Sequence, residues 1–281
     1  MDNLAPATRK PYLVIKPTSG WQALDLREIW QYRDLLMTLA MRDVKLRYRQ
    51  TALGVVWVIL QPLLGAAIFA FVFGRVAKLP SDGVPYFLFA YAGLLGWNAF
   101  SSTLTKASAV LVGSAHLVSK VYFPRIVLPQ STVFSTLIDF GVAFVLMVGL
   151  MVINHVVPTA ALLLLPVWFL LIMMLAVALG LFASALTVTY RDVQYVMPVF
   201  VQMLLYASPV AYAVSVVPKE VRGYYFLNPV AGLLEAFRWS LLGRGHLNLG
   251  YVAYSAVVAI TLLVAGAYSF KKMERRFADI I

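Results

Sequence analysis

The sequence predicts an all-α polytopic membrane protein. Six transmembrane helices follow an amphipathic interfacial helix, with short re-entrant or outer-face helices before the last span. Three observations predict it. Of 281 residues, 62% are hydrophobic and 12% charged, with a mean hydropathy of +0.83; soluble domains run about 45–50% apolar and about 25% charged. Six stretches reach the roughly 20 mostly apolar residues that a helical span needs. The Lys and Arg residues gather at the flanks of those stretches, where they set membrane orientation.

In chain order, residues 1–20 form a polar arm expected to be disordered in the cytoplasm. Residues 21–51 carry the amphipathic pattern. Arg27, Gln31, Asp34, Thr38, Arg42, Lys45 and Arg49 recur every three or four positions, which places them on one helical face. Ile29, Tyr32, Leu36 and Leu39 lie roughly opposite. Such a helix lies flat at the headgroup boundary, cations toward anionic lipid and apolar face buried. Residues 52–270 hold the spans, at 52–74, 84–104, 126–153, 162–187, 196–216 and 247–270. The second is the softest, because Trp97, Asn98, Ser101, Ser102 and Thr105 make its last third polar. Residues 217–246 form the one long outer loop; its stretch NPVAGLLEAFRWSLLG is too short to span and too apolar for a free loop. A re-entrant or interfacial helix fits that length, its backbone groups satisfied by neighbouring protein. Residues 271–281 are a basic tail.

An even number of spans puts both termini on one side. The first fifty residues carry nine Lys/Arg, the second loop three (Lys106, Lys120, Arg125), the fourth loop Arg191 alone and the tail four. Those seventeen face six on the other side, so both termini are expected in the cytoplasm. No secretory signal peptide is visible. The net charge of +11 flanks apolar runs and forms no basic surface domain, which argues against nucleic acid. Without cysteine there are no disulfides, thiolate metal sites or Cys nucleophiles.

Missing motifs narrow the chemistry. There is no phosphate-cradling G-x-x-x-x-G-K-[ST], no HExxH and no G-x-S-x-G elbow. The three histidines lie far apart. Asp139 is the one acidic residue well inside a predicted span and shares a helical face with Thr132, Ser135 and Thr136. A carboxylate there is costly and functional by default, or else it hydrogen-bonds to that stripe or an adjacent helix. Glu235 and Arg238 sit three apart and can pair, as a surface ion pair on a lid helix or as part of a gate. Aromatics make up 14% of the chain. Trp57, Phe69, Tyr86, Phe89, Tyr91, Trp97, Tyr206 and Tyr212 either belong to an interfacial belt and lipid-facing packing or line a conduit. In a conduit, sugar rings would stack on them while Asn98, Ser101 and Gln202 met the hydroxyls.

Four ordered blocks, RYRQTALGVVWVILQPLL, KVYFPRIVLP, YRDVQYVMPVFVQMLLYASPVAY and NPVAGLLEAFR, resemble the membrane permeases of bacterial polysaccharide-export ABC transporters, the type-2 exporters of O-antigen and related glycans. The resemblance covers most of the chain from about residue 32. It implies a homodimeric channel in the inner membrane, docked from the cytoplasm by two copies of a separate ABC ATPase that holds ATP and Mg. This chain itself then needs no cofactor. Lys120, Tyr122, Arg125, Tyr190, Arg191 and Asp192 would be the ATPase-coupling surface. Arg42, Lys45, Arg47 and Arg49 would meet the pyrophosphate of a polyprenyl-linked polysaccharide, or simply anchor to anionic membrane lipids. Residues 217–246, with Asn228, Pro229, Glu235 and Arg238, would be the periplasmic gate. Two alternatives compete: a drug or lipid exporter permease of the same superfamily, and a membrane-embedded glycan polymerase or ligase. The second needs a catalytic outer loop, and residues 217–246 are short and poor in candidate residues. An ion-coupled transporter is weakened by the single buried carboxylate.

Overall fold

A computed structural model describes residues 30–49, 55–245, 247–274 and 277. The expected arm at 1–20 lies outside them, as do both edges of the 21–51 segment and most of the tail. The described residues form helices and connecting turns, with no strand among them. The main helices are α1 (Arg33–Arg49), α2 (Val55–Phe69), α3 (Tyr86–Gly113), α4 (Ala115–Lys120), α5 (Val127–Ile153), α6 (Leu165–Thr189), α7 (Val193–Tyr206), α8 (Lys219–Tyr225), α9 (Pro229–Leu242) and α10 (Leu249–Glu274).

Four helical segments are long and apolar enough to cross a membrane: Val56–Val76, Val127–Ile153, Ala160–Thr189 and Leu249–Glu274. They match the expected first, third, fourth and sixth spans within a few residues. Large apolar side chains on them, such as Val145, Val152, Leu163, Phe182, Val257 and Val264, stay exposed on the chain's own surface. Contiguous apolar surface of this kind suits lipid or a partner rather than water. The other two expected spans differ. The second is a 28-residue helix, α3, that continues nine residues beyond the expected boundary at 104 and contributes more buried residues than any other described helix. The fifth is only 14 residues long. It ends at Tyr206, and residues 207–213 are turns and bends instead of helix.

α3 is central, packed against α2, α5, α6, α7 and α9, while α10 closes against α6 and α9. Close approach depends on small residues. A Cβ on Gly266 would stand 2.6 Å from the Ala178 carbonyl, so α10 lies directly on the backbone of α6. α1 packs on α5, with Leu36 and Leu39 buried against Leu111, Val118, Phe123, Val188 and Phe270. The expected apolar face of α1 is thus seated on protein, which corrects the picture of a helix resting on lipid by that face. Trp30, Met37, Met41 and Leu46 remain exposed.

α9 is the expected re-entrant candidate. Asn228 caps it by accepting the Val230 N–H at 3.1 Å, Pro229 takes the first turn, and Gly243 ends it in the left-handed conformation (φ 62). Twelve of its fourteen residues are buried. A helix buried on nearly every side must meet its polar groups inside the protein.

Candidate functional site

α5 presents Thr132, Ser135, Thr136 and Asp139 at positions i, i+3, i+4 and i+7, one face of the helix. Each hydroxyl donates into its own helix: Thr132 to Pro129 O (2.7 Å), Ser135 and Thr136 to Thr132 O (both 3.0 Å). With their protons spent there, Ser135 and Thr136 turn oxygen lone pairs outward. Lys106 of α3 uses them. Its ammonium donates to Ser135 Oγ (3.3 Å), Thr136 Oγ1 (3.3 Å) and Asp139 Oδ2 (3.2 Å). Three acceptors match the three protons of an ammonium.

The pair lies well inside both helices. Lys106 is about 10 Å from the end of α3 and Asp139 about 18 Å from the start of α5, at about 1.5 Å per residue. Lys106 was expected in a cytoplasmic loop; it sits within α3, which removes one cation from the seventeen counted there. The side chains keep 23% and 19% of their surface, and that surface faces a cavity of about 400 Å³ between α2, α3 and α5. Trp57, Gln61, Asn98, Ser101, Ser102, Thr136 and Phe140 form the rest of its polar and aromatic lining.

A second polar cluster holds the break after α7. The carbonyls of Ala207, Pro209 and Ala211 each accept from a side chain on another element: Asn228 Nδ2 (3.0 Å), Arg238 Nη1 (2.7 Å) and Tyr86 Oη (2.7 Å). Backbone groups freed from helix inside a membrane protein need such partners. Arg238 also pairs with Glu235 and stands over the Phe89 ring, 4.1 Å from its centroid. Arg238 is 3% exposed and Glu235 8%, so the surface-pair reading gives way to a buried pair. Nearby, Tyr225 donates to Tyr212 Oη (3.2 Å), and burial pushes the Tyr225 phenol up from its ordinary pKa.

Apart from Tyr86, which donates to the Ala211 carbonyl, the expected conduit residues fall into three groups. Trp57, Asn98 and Ser101 share the cavity. Phe89, Tyr91 and Trp97 are buried in the chain's own core, Tyr91 donating to Ala143 O at 3.0 Å; Phe69 packs beside that core, edge-on to Phe73. Gln202 donates to Tyr206 Oη (2.9 Å) and Tyr212 to Tyr206 O (3.0 Å) at the end of α7. Gln61, Ser102 and Lys106 were missed. A signal existed: Asn98, Ser101, Ser102, Thr105 and Lys106 fall at i, i+3, i+4, i+7 and i+8, a polar stripe that continues the helix.

At the end of the bundle where α1 lies, Lys120, Tyr122, Tyr190, Arg191 and Asp192 are exposed. Arg125 is held instead. Its backbone N–H donates to Glu274 Oε1 (2.8 Å) and its guanidinium to Glu274 O (2.6 Å). On α1, Arg42 pairs with Asp43 at 3.2 Å and Lys45 is exposed. Arg47 and Arg49 lie in α1, but their side chains are outside the described residues.

Residues 34–242 match the family model of the ABC-2 type transporter. The chain belongs to the ABC-2 type transporter family. Among its relatives, the O-antigen export system permease protein RfbA of Myxococcus xanthus is 30% identical over 258 residues, 91% of this chain and 98% of the relative. A protein of the same name from Klebsiella pneumoniae is 28% identical over 255 residues, 88% and 95%. The polysialic acid transport protein KpsM of Escherichia coli is 23% identical over 242 residues, 84% and 92%. Both ion pairs, the partly buried Lys106–Asp139 and the buried Glu235–Arg238, fall within the ABC-2 region, as does every element from α2 to α9.

Proposed function

We propose that this chain is the permease subunit of an ATP-driven exporter that moves a polysaccharide, O-antigen-like and carried on a polyprenyl pyrophosphate, across the bacterial inner membrane. The observation that carries this reading is similarity along 91% of the chain to a permease named for O-antigen export. The sequence has no phosphate-cradling loop, which agrees with an energy source on another chain. Two copies of a separate ATPase would hold ATP and Mg, and two copies of this chain would enclose the path. In this reading α3 and the α7–207–213 segment supply the second and fifth of six crossings, α1 lies along the inner membrane surface, and both termini are cytoplasmic. The exposed residues around Tyr122 and Tyr190–Asp192 would receive the ATPase, and α8 and α9 would close the outer side.

The test is to delete the chain and stain intact and permeabilised cells with a lectin for the host's surface glycan. Glycan that stains only after permeabilisation is the expected result. Unchanged surface glycan with no internal pool would overturn polysaccharide export in favour of a drug or lipid cargo.

A further inference from the structure

The cavity between α2, α3 and α5 has a composition that selects among ligands. Trp57, 51% exposed as a residue, offers an aromatic ring. Gln61 and Asn98 each carry an amide that both donates and accepts, and Ser101 and Ser102 add hydroxyls that do the same. Its charged lining is Lys106 and Asp139, 3.2 Å apart. The carboxylate offsets the ammonium, so an anion entering here would gain from one and be repelled by the other. The volume, about 400 Å³, lies within the roughly 300–1,000 Å³ typical of small-molecule sites.

We propose that this cavity is a carbohydrate subsite that seats one uncharged sugar ring, its C–H face on Trp57 and its hydroxyls on Gln61, Asn98 and the Lys106–Asp139 pair. A pyranose has the matching chemistry: an apolar face for an aromatic platform and hydroxyls that donate and accept around its edge. A phosphate group has neither, which separates this site from any that holds the lipid pyrophosphate. The proposal rests on the reading that the cargo is a glycan. It adds where one ring pauses and which part of the cargo is held.

The experiment uses the full-length chain in lipid nanodiscs and saturation-transfer NMR. The probe is a phosphate-free repeat-unit oligosaccharide released from the host's own surface glycan by mild acid. Saturation of sugar-ring protons is expected in the parent protein, unaffected by inorganic pyrophosphate. Trp57→Ala should weaken binding about tenfold, the loss of one aromatic contact, and Trp57→Phe should restore part of it. Trp57 is half-exposed, so folding should survive either change. No saturation in the parent, equal binding by Trp57→Ala, or displacement by pyrophosphate would each overturn the subsite. The two readings fail separately. If deletion traps glycan inside cells while Trp57→Ala binds as the parent does, only the subsite falls; if deletion leaves surface glycan unchanged, the export reading falls.

Discussion

Lys106 on α3 and Asp139 on α5 meet at 3.2 Å well inside both helices, and Ser135 and Thr136 also accept from the ammonium. Removing either partner leaves the other charge without its ion-pair partner inside the helix bundle. Breaking such a pair costs about 3–5 kcal/mol; access to the cavity argues for about 3 here. Asp139→Asn and Lys106→Met should each lower thermal stability in detergent by that order. The double substitution, with neither charge left to strand, should recover most of it. Stability losses that simply add in the double variant would show that the two are uncoupled.

Arg238 performs three tasks at once: it pairs with Glu235, donates to Pro209 O and covers the Phe89 ring. Lysine cannot repeat this geometry, because it lacks the planar fork that reaches two acceptors while stacking. Arg238→Lys should therefore lose nearly as much folded protein as Arg238→Gln, about 3–5 kcal/mol. Glu235→Gln keeps an acceptor and should cost less. Steady-state protein level with thermal unfolding measures all three, and a near-normal Arg238→Lys would mean the carbonyl of Pro209 finds another donor.

Where hydropathy and length carried the signal, the sequence was legible. The first, third, fourth and sixth spans are long apolar runs, and their helices start and stop within a few residues of expectation. The stretch NPVAGLLEAFRWSLLG was legible as a short helix by its length and apolarity, and the structure adds its caps, Asn228 and Gly243. Lys106 was misplaced because a polar stripe was taken as the end of a membrane helix. A helix surrounded by α2, α5, α6 and α9 has no lipid to avoid and can carry Asn98, Ser101, Ser102 and Lys106 inward. The break at 207–213 was hidden for a related reason. Its carbonyls are satisfied by Asn228, Arg238 and Tyr86, and Tyr86 lies more than a hundred residues away. Ring count alone left Phe89 and Tyr91 open between an interfacial belt and a conduit; both are buried in the chain's own core, which depends on which helices surround α3.

Glycine positions separate packing from propensity. A Cβ on Gly93 would stand 2.3 Å from Val210 O, on the segment that follows α7, so Gly93→Ala must push α3 off that turn. A loss of about 1–3 kcal/mol is expected from overpacking. Gly141 on α5 has no atom within 4 Å of the same construction. Gly141→Ala should be neutral or stabilise by about 0.5–1 kcal/mol, the ordinary gain from replacing a mid-helix glycine. Melting both variants beside the parent checks the contrast, and a Gly93→Ala that melts normally would mean the α3–turn contact is soft.

Arg125 and Arg191 lie at the same end of the bundle and should behave differently when changed. Arg125 is tied to the last turn of α10 through both its backbone and its guanidinium, so its side chain holds the chain's own fold. Arg191 and Asp192 are exposed beside Tyr190 and Tyr195, with no burial to lose. Reversing both charges, Arg191→Glu with Asp192→Arg, should leave melting unchanged and lower co-purification of the ATPase several-fold. Arg125→Ala should lower the melting temperature first, and any loss of ATPase should track the loss of folded protein. Co-purification measured per folded permease distinguishes the two. Equal recovery of ATPase from the charge-reversed variant would remove Arg191 and Asp192 from the docking surface and leave Lys120, Tyr122 and Tyr190 as the exposed candidates.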